Sequence, residues 1–394
     1  MSSLVLGESL EVLIDHRGKT PKKLDSQFVS VGVPVASAML VQNGRLMLEQ
    51  ARRVDLDLYR RWMSVPTRRY DVLLTSEAPL GRVALVPDDE PLVLGQRLFG
   101  LRGKPGVLDS RFLFYALQSE EVQSELQGRA TGTTVSGIRQ SELVRVHIPA
   151  PSYPQQIAIA AVLGALDDKI AVNERIEKVS EQVAVAVIGL GGHRQTCPLA
   201  SIVTWVKEQV LPENIHSVEV EHFSIPAFDS DRLPELTTPV SIKSAKFRVP
   251  SDAVLVSKLN PVTPRVWRVK RSSTLPGLAS TEFMVLVPIA ELSTADLWAV
   301  CSQSDFSERL AGMVTGTSNS HQRVKPVDLL ASDVVDPCSL SDGIRNQIRF
   351  LLDCANEARW ESRALGELRN LLLPKLMSGE ISVRHAEKVV EEVL

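Results

Sequence analysis

Seven histidines and four cysteines are the residues of this chain best suited to bind a metal or act as nucleophiles. Their spacing fits neither role. The histidines (16, 147, 193, 216, 222, 321, 385) show no metal-ligand spacing. Cys197, Cys301, Cys338 and Cys354 contain no C-x-x-C pair and read as ordinary thiols of a reducing cytosol. A dinucleotide-binding glycine fingerprint, a P-loop, H-E-x-x-H and G-x-S-x-G are all absent. Pro87-Asp88 with Asp167-x-Lys169 could be forced into a nuclease-like pattern, but Asp167 and Lys169 fall in a heptad-patterned helix and read as a solvated face. Asn260-Pro261 in SKLNPVTPRV lacks the second proline and the aromatic that an amino-methyltransferase loop would carry. No catalytic or metal-binding residue is therefore expected. The remaining chemistry is basic. Residues 17–23 hold four basic side chains and no acid, and residues 243–271 hold eight and one acid, Asp252. Either cluster alone could be a solvated face; matching clusters in both halves point to a phosphate-contacting surface built twice.

The segments around these clusters also recur. DVLLTSEAPLGRVALV from Asp71 matches DAVLVSKLNPVTPRVWRV from Asp252, and TGTTVSGIRQSELVRVHIPAP from Thr131 matches TGTSNSHQRVKPVDLLASDVVDPCS from Thr315. Both pairs are offset by close to half the chain, and a long helical pattern follows each member of the second pair. At 394 residues, with 44% hydrophobic and 23% charged residues, the chain suits two or more globular domains. There is no membrane-length apolar run and no signal-peptide pattern at the N-terminus, so a cytoplasmic protein is expected. The net charge of −3 argues weakly against nucleic acid.

Four blocks are expected. Residues 1–150 and 193–340 carry short β-like runs punctuated by Pro and Gly, with one helix over 110–127 and another over 294–311. Residues 151–192 and 341–394 carry long helices. In the first, Ile159, Leu163, Leu166 and Ile170, then Ile176, Val179, Val183, Ala186 and Leu190, form a coiled-coil seam with a slip at Asn173. In the second, Ile344, Ile348, Leu351, Ala355, Ala358, Leu365, Leu368 and Leu372 form another, ended by Pro374. Two such seams at equivalent places are expected to pack antiparallel, each helix roughly 50 Å long at 1.5 Å per residue. The fold class is α+β: two mixed α/β domains separated by two antiparallel coiled-coil spacer helices, a pseudo-two-fold internal repeat.

SYPQQIAIAAVLGALDDKIAVNERIEKV resembles the central spacer of DNA-specificity subunits of type I restriction-modification systems, and RNLLLPKLMSGEISV resembles the end of their second spacer. DHRGKTPKK, EAPLGRVALV and ATGTTVSGI look like a first target-recognition domain; SKLNPVTPRVW, STEFMVL and SNSHQRVKPVDLL look like a second. The resemblance covers essentially the whole chain in the expected order. One departure is the start of the second spacer, which reads DGIRNQIRFLLD without the family's Gln-x-Ala-Ile pattern.

The resemblance implies a non-catalytic subunit that binds double-stranded DNA at a bipartite, asymmetric site. Each sheet domain would read one half-site, and half-sites one helical turn apart lie about 34 Å from each other. Separate chains would supply the chemistry. Two modification subunits would use S-adenosylmethionine to methylate adenine, and restriction subunits would use ATP and magnesium to translocate and cut. A coiled-coil scaffold that binds other proteins is the alternative, favoured by the near-neutral charge.

Base and phosphate contacts need Arg, Lys, Asn, Gln, Ser or Thr on loops at sheet edges. In the first domain these are Arg17, Lys19, Thr20 and Lys22, then Thr75 and Arg82 flanking the EAPLG turn, then Thr133, Thr134 and Arg139. In the second they are Lys258, Asn260 and Arg265, with Ser318, His321 and Arg323. Glu174, Arg175, Lys178, Arg359 and Arg363 are expected at exposed heptad positions.

Overall fold

The computed structural model describes residues 2–132, 136–190, 195–271, 273–314 and 322–394. The chain forms two compact units, Met1–Lys169 with Leu365–Leu394, and Ile170–Ala364. Each unit contains one of the sheet-rich regions, and each long helix contributes to both units.

In the first unit, β1 (Leu10–Asp15), β2 (Val72–Thr75), β3 (Val83–Leu85) and β4 (Leu98–Gly103) make an antiparallel sheet in the order β1-β4-β2-β3. In the second, β5 (Val203–Val206), β6 (Asp252–Ser257), β7 (Val266–Lys270) and β8 (Phe283–Pro288) repeat that order as β5-β8-β6-β7. Each unit adds a closing two-stranded ribbon, Ser2–Val5 with His147–Ala150 and Thr196–Pro198 with Asp333–Val335. Each also adds a side sheet holding one parallel pair, Val33–Ala36 with Val93–Leu94 and Val220–Phe223 with Gly277–Ala279. The duplication read in the sequence is thus a duplication of topology.

The central strands are buried on both faces. In the second unit Val254, Val256, Met284 and Leu286 face a core with Ala295, Trp298 and Phe306. The alternate residues Ala253, Leu255, Phe283 and Val285 face an aromatic core with Phe223 and Trp267. That is the period of two of a strand, with water excluded from both sides.

The single helices expected over 110–127 and 294–311 are each broken in two. The first unit has α1 (Ser110–Ala116) and α2 (Glu120–Gly128). Ser119 Oγ accepts the Val122 N–H, and Glu120 and Glu121 lie in the first turn of α2, so a fresh N-cap replaces continuation. The long α3 is Tyr153–Val187. In the second unit α4 (Thr294–Cys301) and α5 (Ser304–Gly312) repeat the break. The last long helix, α6 (Asp342–Ser378), runs through Pro374. Burial of Leu372, Leu376 and Met377 on both sides of the proline offsets the one lost hydrogen bond. The stop is Gly379, left-handed at φ 75°, whose N–H donates to Leu376 O.

The seams differ from the expectation in an instructive way. Ile176, Val179 and Val183 are exposed, whereas Asn173, Ser180, Ala184 and Val187 are buried. The stripe Ile159, Leu163, Leu166, Ile170, Asn173, Glu177, Ser180, Ala184, Val187 keeps a 4-3 spacing throughout. The heptad has no slip; it turns polar.

In the second unit α3 and α6 run antiparallel. Asn173 Nδ2 donates to Glu361 Oε2 at 2.7 Å, and Arg359 Nη2 donates at 2.8 Å to both Glu177 and Glu181. In the first unit Asp167 accepts Tyr115 Oη at 2.6 Å and Arg369 Nη1 at 2.5 Å. Asp167 is therefore a packing residue and not the solvated face that the heptad pattern suggested.

Candidate nucleic-acid interface

The first unit concentrates arginines where β1 ends and β4 begins. Arg17 follows β1 and lies 3.9 Å over the Phe99 ring. Its Nε and Nη2 donate to the two oxygens of Asp15 at 2.9 and 2.8 Å, and its Nη1 donates to Ile138 O at 3.1 Å. Arg97, just before β4, pairs with Glu77 at 3.0 Å. With Arg139 and Thr131 these residues line an open polar hollow of about 410 Å³. Lys19, Thr20 and Lys22 line a second, larger cleft of about 860 Å³ with Phe28, Met39 and Trp62, and Gln96 borders both. Lys19 Nζ donates to Trp62 O at 2.8 Å, and Thr20 Oγ1 accepts the Lys23 N–H.

Two sequence candidates of the first unit do not join the hollow. Thr75 is wholly buried. Its hydroxyl donates to Pro79 O at 2.6 Å and accepts the Arg82 N–H at 2.8 Å, so it ties the EAPLG turn and presents nothing to a ligand. Arg82 is exposed but borders a third cleft with Gln42, Asn43 and Gln123.

In the second unit the same backbone frame recurs. Ser76 N donates to Arg97 O and Ser76 O accepts from Ile138 N; likewise Lys258 N donates to Glu282 O and Lys258 O accepts from Val324 N. Glu77 bridges Gly137 as Leu259 bridges Arg323. Glu282 thus stands where Arg97 stands, and it grips Arg323 at 2.9 and 3.0 Å. The hydrogen bond from Arg323 holds the Glu282 carboxyl below its ordinary range. Burial pushes the neighbouring Lys258 ammonium down. Asn260 is left-handed at φ 48°, and its N–H donates to Gln322 O.

Arg265 is largely covered and committed to both oxygens of Asp229 at 2.6 and 2.8 Å, which anchors the SKLNPVTPR loop and removes it from the expected reading set. Thr133, Thr134, Ser318 and His321 lie outside the described residues. Of the heptad positions, Glu174, Arg175 and Lys178 are exposed. Arg359 is buried in the seam, and Arg363 is tied to Asp231 at 2.7 Å. Glu77, Arg97 and Glu282 were not among the sequence candidates. The halves were matched at their loops, and extending the match to the residue before each LFG or FMV strand would have found Arg97 opposite Glu282. Among the described residues no carboxylate, thiol or imidazole group is arranged to hold a metal.

The family described as type I restriction modification DNA specificity domain matches residues 6–182. The chain is 28% identical over 167 residues to the type I restriction enzyme MjaVIII specificity subunit of Methanocaldococcus jannaschii. That match covers 40% of this chain and 39% of the relative. It is 33% identical over 114 residues to the MjaIX specificity subunit of the same organism, covering 29% of this chain and 26% of that one. The fold is similar over 95% of both chains to the type I restriction-modification S subunit of M. genitalium, with a TM-score of 0.59 at 16% identity.

Residues 6–182 of this chain match the type I restriction modification DNA specificity domain, and its similar sequences are specificity subunits. The family match covers the first sheet-rich region and all of α3 except its last five residues. The whole-chain likeness to the M. genitalium structure extends the same fold through the second unit. Gln156, wholly buried in the first turn of α3, shows why the spacer begins with glutamines. Its amide accepts the Asp109 N–H and donates to Val107 O and Pro151 O, locking the helix to its sheet domain. Gly164, in mid-helix, leaves room for Arg111, whose Nη2 lies 2.2 Å from where a Cβ would stand. Among the described residues no helix is long and apolar enough to cross a membrane.

Proposed function

We propose that this chain is a specificity subunit that reads a bipartite, asymmetric sequence in double-stranded DNA, one half with each unit, and positions separate catalytic chains on it. The observation that carries this reading is the repeated sheet order with unlike residues at equivalent loop positions, Arg97 against Glu282 and Gly137 against Arg323. A constant frame bearing different readers is what two unlike half-sites require. Arg17, Lys19, Thr20, Lys22, Arg82 and Arg139, with Lys258, Asn260 and Arg323, are the DNA-facing residues of the proposal, for contact with phosphates or base edges.

The partners are two adenine-methyltransferase subunits carrying S-adenosylmethionine and restriction subunits carrying ATP and magnesium, acting in the cytoplasm. The specificity subunit itself contributes binding and placement and no bond-making step. Base-resolution mapping of methylated adenine in the host, with and without this gene, tests the proposal. Disappearance of one split motif is the expected result, and an unchanged methylome would overturn it.

A further inference from the structure

We propose that Arg97, held in place by Glu77, reads a guanine in the half-site bound by the first unit; this rests on the DNA-reading function proposed above. The ion pair stands in the open hollow of about 410 Å³, beside Arg17 and Arg139. Arg97 has a left-handed backbone at φ 65°, a conformation that a bulky residue adopts only where its surroundings impose it. The pair is half exposed, at 53% for Arg97 and 39% for Glu77, so it adds little to folding stability. A strained, exposed arginine beside a carboxylate fits a reader better than a brace.

The carboxylate also decides what is read. Glu77 disfavours a phosphate, with its full negative charge, more than the neutral edge of a base. Glu77 sits at the Nε edge of the guanidinium. The remaining edge, Nη1 with Nη2, presents two parallel N–H donors at the spacing of guanine N7 and O6. Gly137 makes room for this arrangement. A Cβ there would lie 3.0 Å from Glu77 Cβ. In the second unit the carboxylate comes from the Arg97 position, as Glu282, and the arginine from the Gly137 position, as Arg323. An ion pair is kept, but the position that carries the arginine in the first unit carries the carboxylate in the second, so one shared frame bears different side chains.

The test is methylation of a randomised DNA library by the complex reconstituted from this chain and its modification subunits. Wild type, Arg97→Ala and Arg97→Lys are compared, together with the salt dependence of binding. Wild type should give one split motif. Arg97→Ala should lose about tenfold or more of its preference for one guanine in one half, leaving the other half and the gap intact. Arg97→Lys, which keeps the charge but not the two-pronged donor, should relax the same position while the salt slope holds. A motif unchanged in both variants overturns the inference. So does an Arg97→Ala complex weakened uniformly at all positions with a shallower salt slope, the mark of a phosphate contact. A wild-type complex that methylates no split motif overturns the DNA-reading function itself, which separates the two failures.

Discussion

Thr75 and Arg139 stood together as loop candidates, and the structure separates them by burial alone. Thr75 is sealed under the EAPLG turn with its hydroxyl both donating and accepting, while Arg139 is exposed at the rim of the hollow. Thr75→Val keeps the shape but strands the Arg82 N–H and the Pro79 carbonyl. It should cost about 1–3 kcal/mol of unfolding free energy, read from urea titration, without altering the methylated motif. Arg139→Ala should do the reverse, leaving the urea midpoint within error while weakening DNA binding by the complex. What a threonine does in such a turn depends on whether its partners are local, and Thr-rich loops look alike in sequence in either case.

Between elements, the polar stretch of the α3–α6 seam in the second unit carries the pairing energy that an apolar heptad would otherwise supply. Arg359 retains 10% side-chain exposure and neutralises Glu177 and Glu181, themselves at 15% and 17%. Arg359→Ala leaves Glu177 and Glu181 to Arg232 alone, at 3.2 and 2.7 Å, and should destabilise this unit by about 1–3 kcal/mol. Arg363→Ala, losing an exposed contact to Asp231, should cost about 0–1 kcal/mol, and urea titration of both variants checks the contrast. Asp353 ties α6 to β7 through Arg268 and Lys270 at 2.8 and 3.0 Å. Burial pushes its carboxyl up, but the hydrogen bonds from Lys270 and Arg268 more than reverse this and leave it below its ordinary range. Its folded value therefore lies under its unfolded one, so its stabilisation is complete above about pH 4 and is lost as pH falls through the folded value. Asp353→Asn should lower stability at neutral pH and converge with wild type in acid, measured by urea unfolding across a pH series. The helices and their apolar half were legible because period carries that information. The polar half was not, because burial of Asn173 and Glu177 is decided by partners nearly two hundred residues away. The two split helices were missed for a related reason: Ser119 becomes a cap only once the chain leaves the helix. Arg97 and Glu77 meet through backbone bridges to residues distant in sequence, so neither looks special on its own strand.

At the scale of the whole molecule the net charge is −3, which gives little long-range attraction to DNA. Affinity has to come from a few local phosphate contacts, and each releases counterions, steepening the fall of log K with log salt by about 0.9. On the proposed function, the reconstituted complex should therefore show a modest but finite slope, well short of that of a strongly basic binder. Lys22, at the border of the larger cleft, is the clearest single contributor. Lys19 and Lys23 already donate to Trp62 O and Gly18 O within the fold, and their ammonium groups are held there. Lys22→Ala should reduce the slope by about 1 and weaken all sequences alike, with the methylated motif unchanged. Filter binding across a salt series on matched and scrambled duplexes makes the measurement. A flat slope for the wild-type complex would instead favour a scaffold whose units bind protein, because a surface that touches no phosphate has no counterions to release.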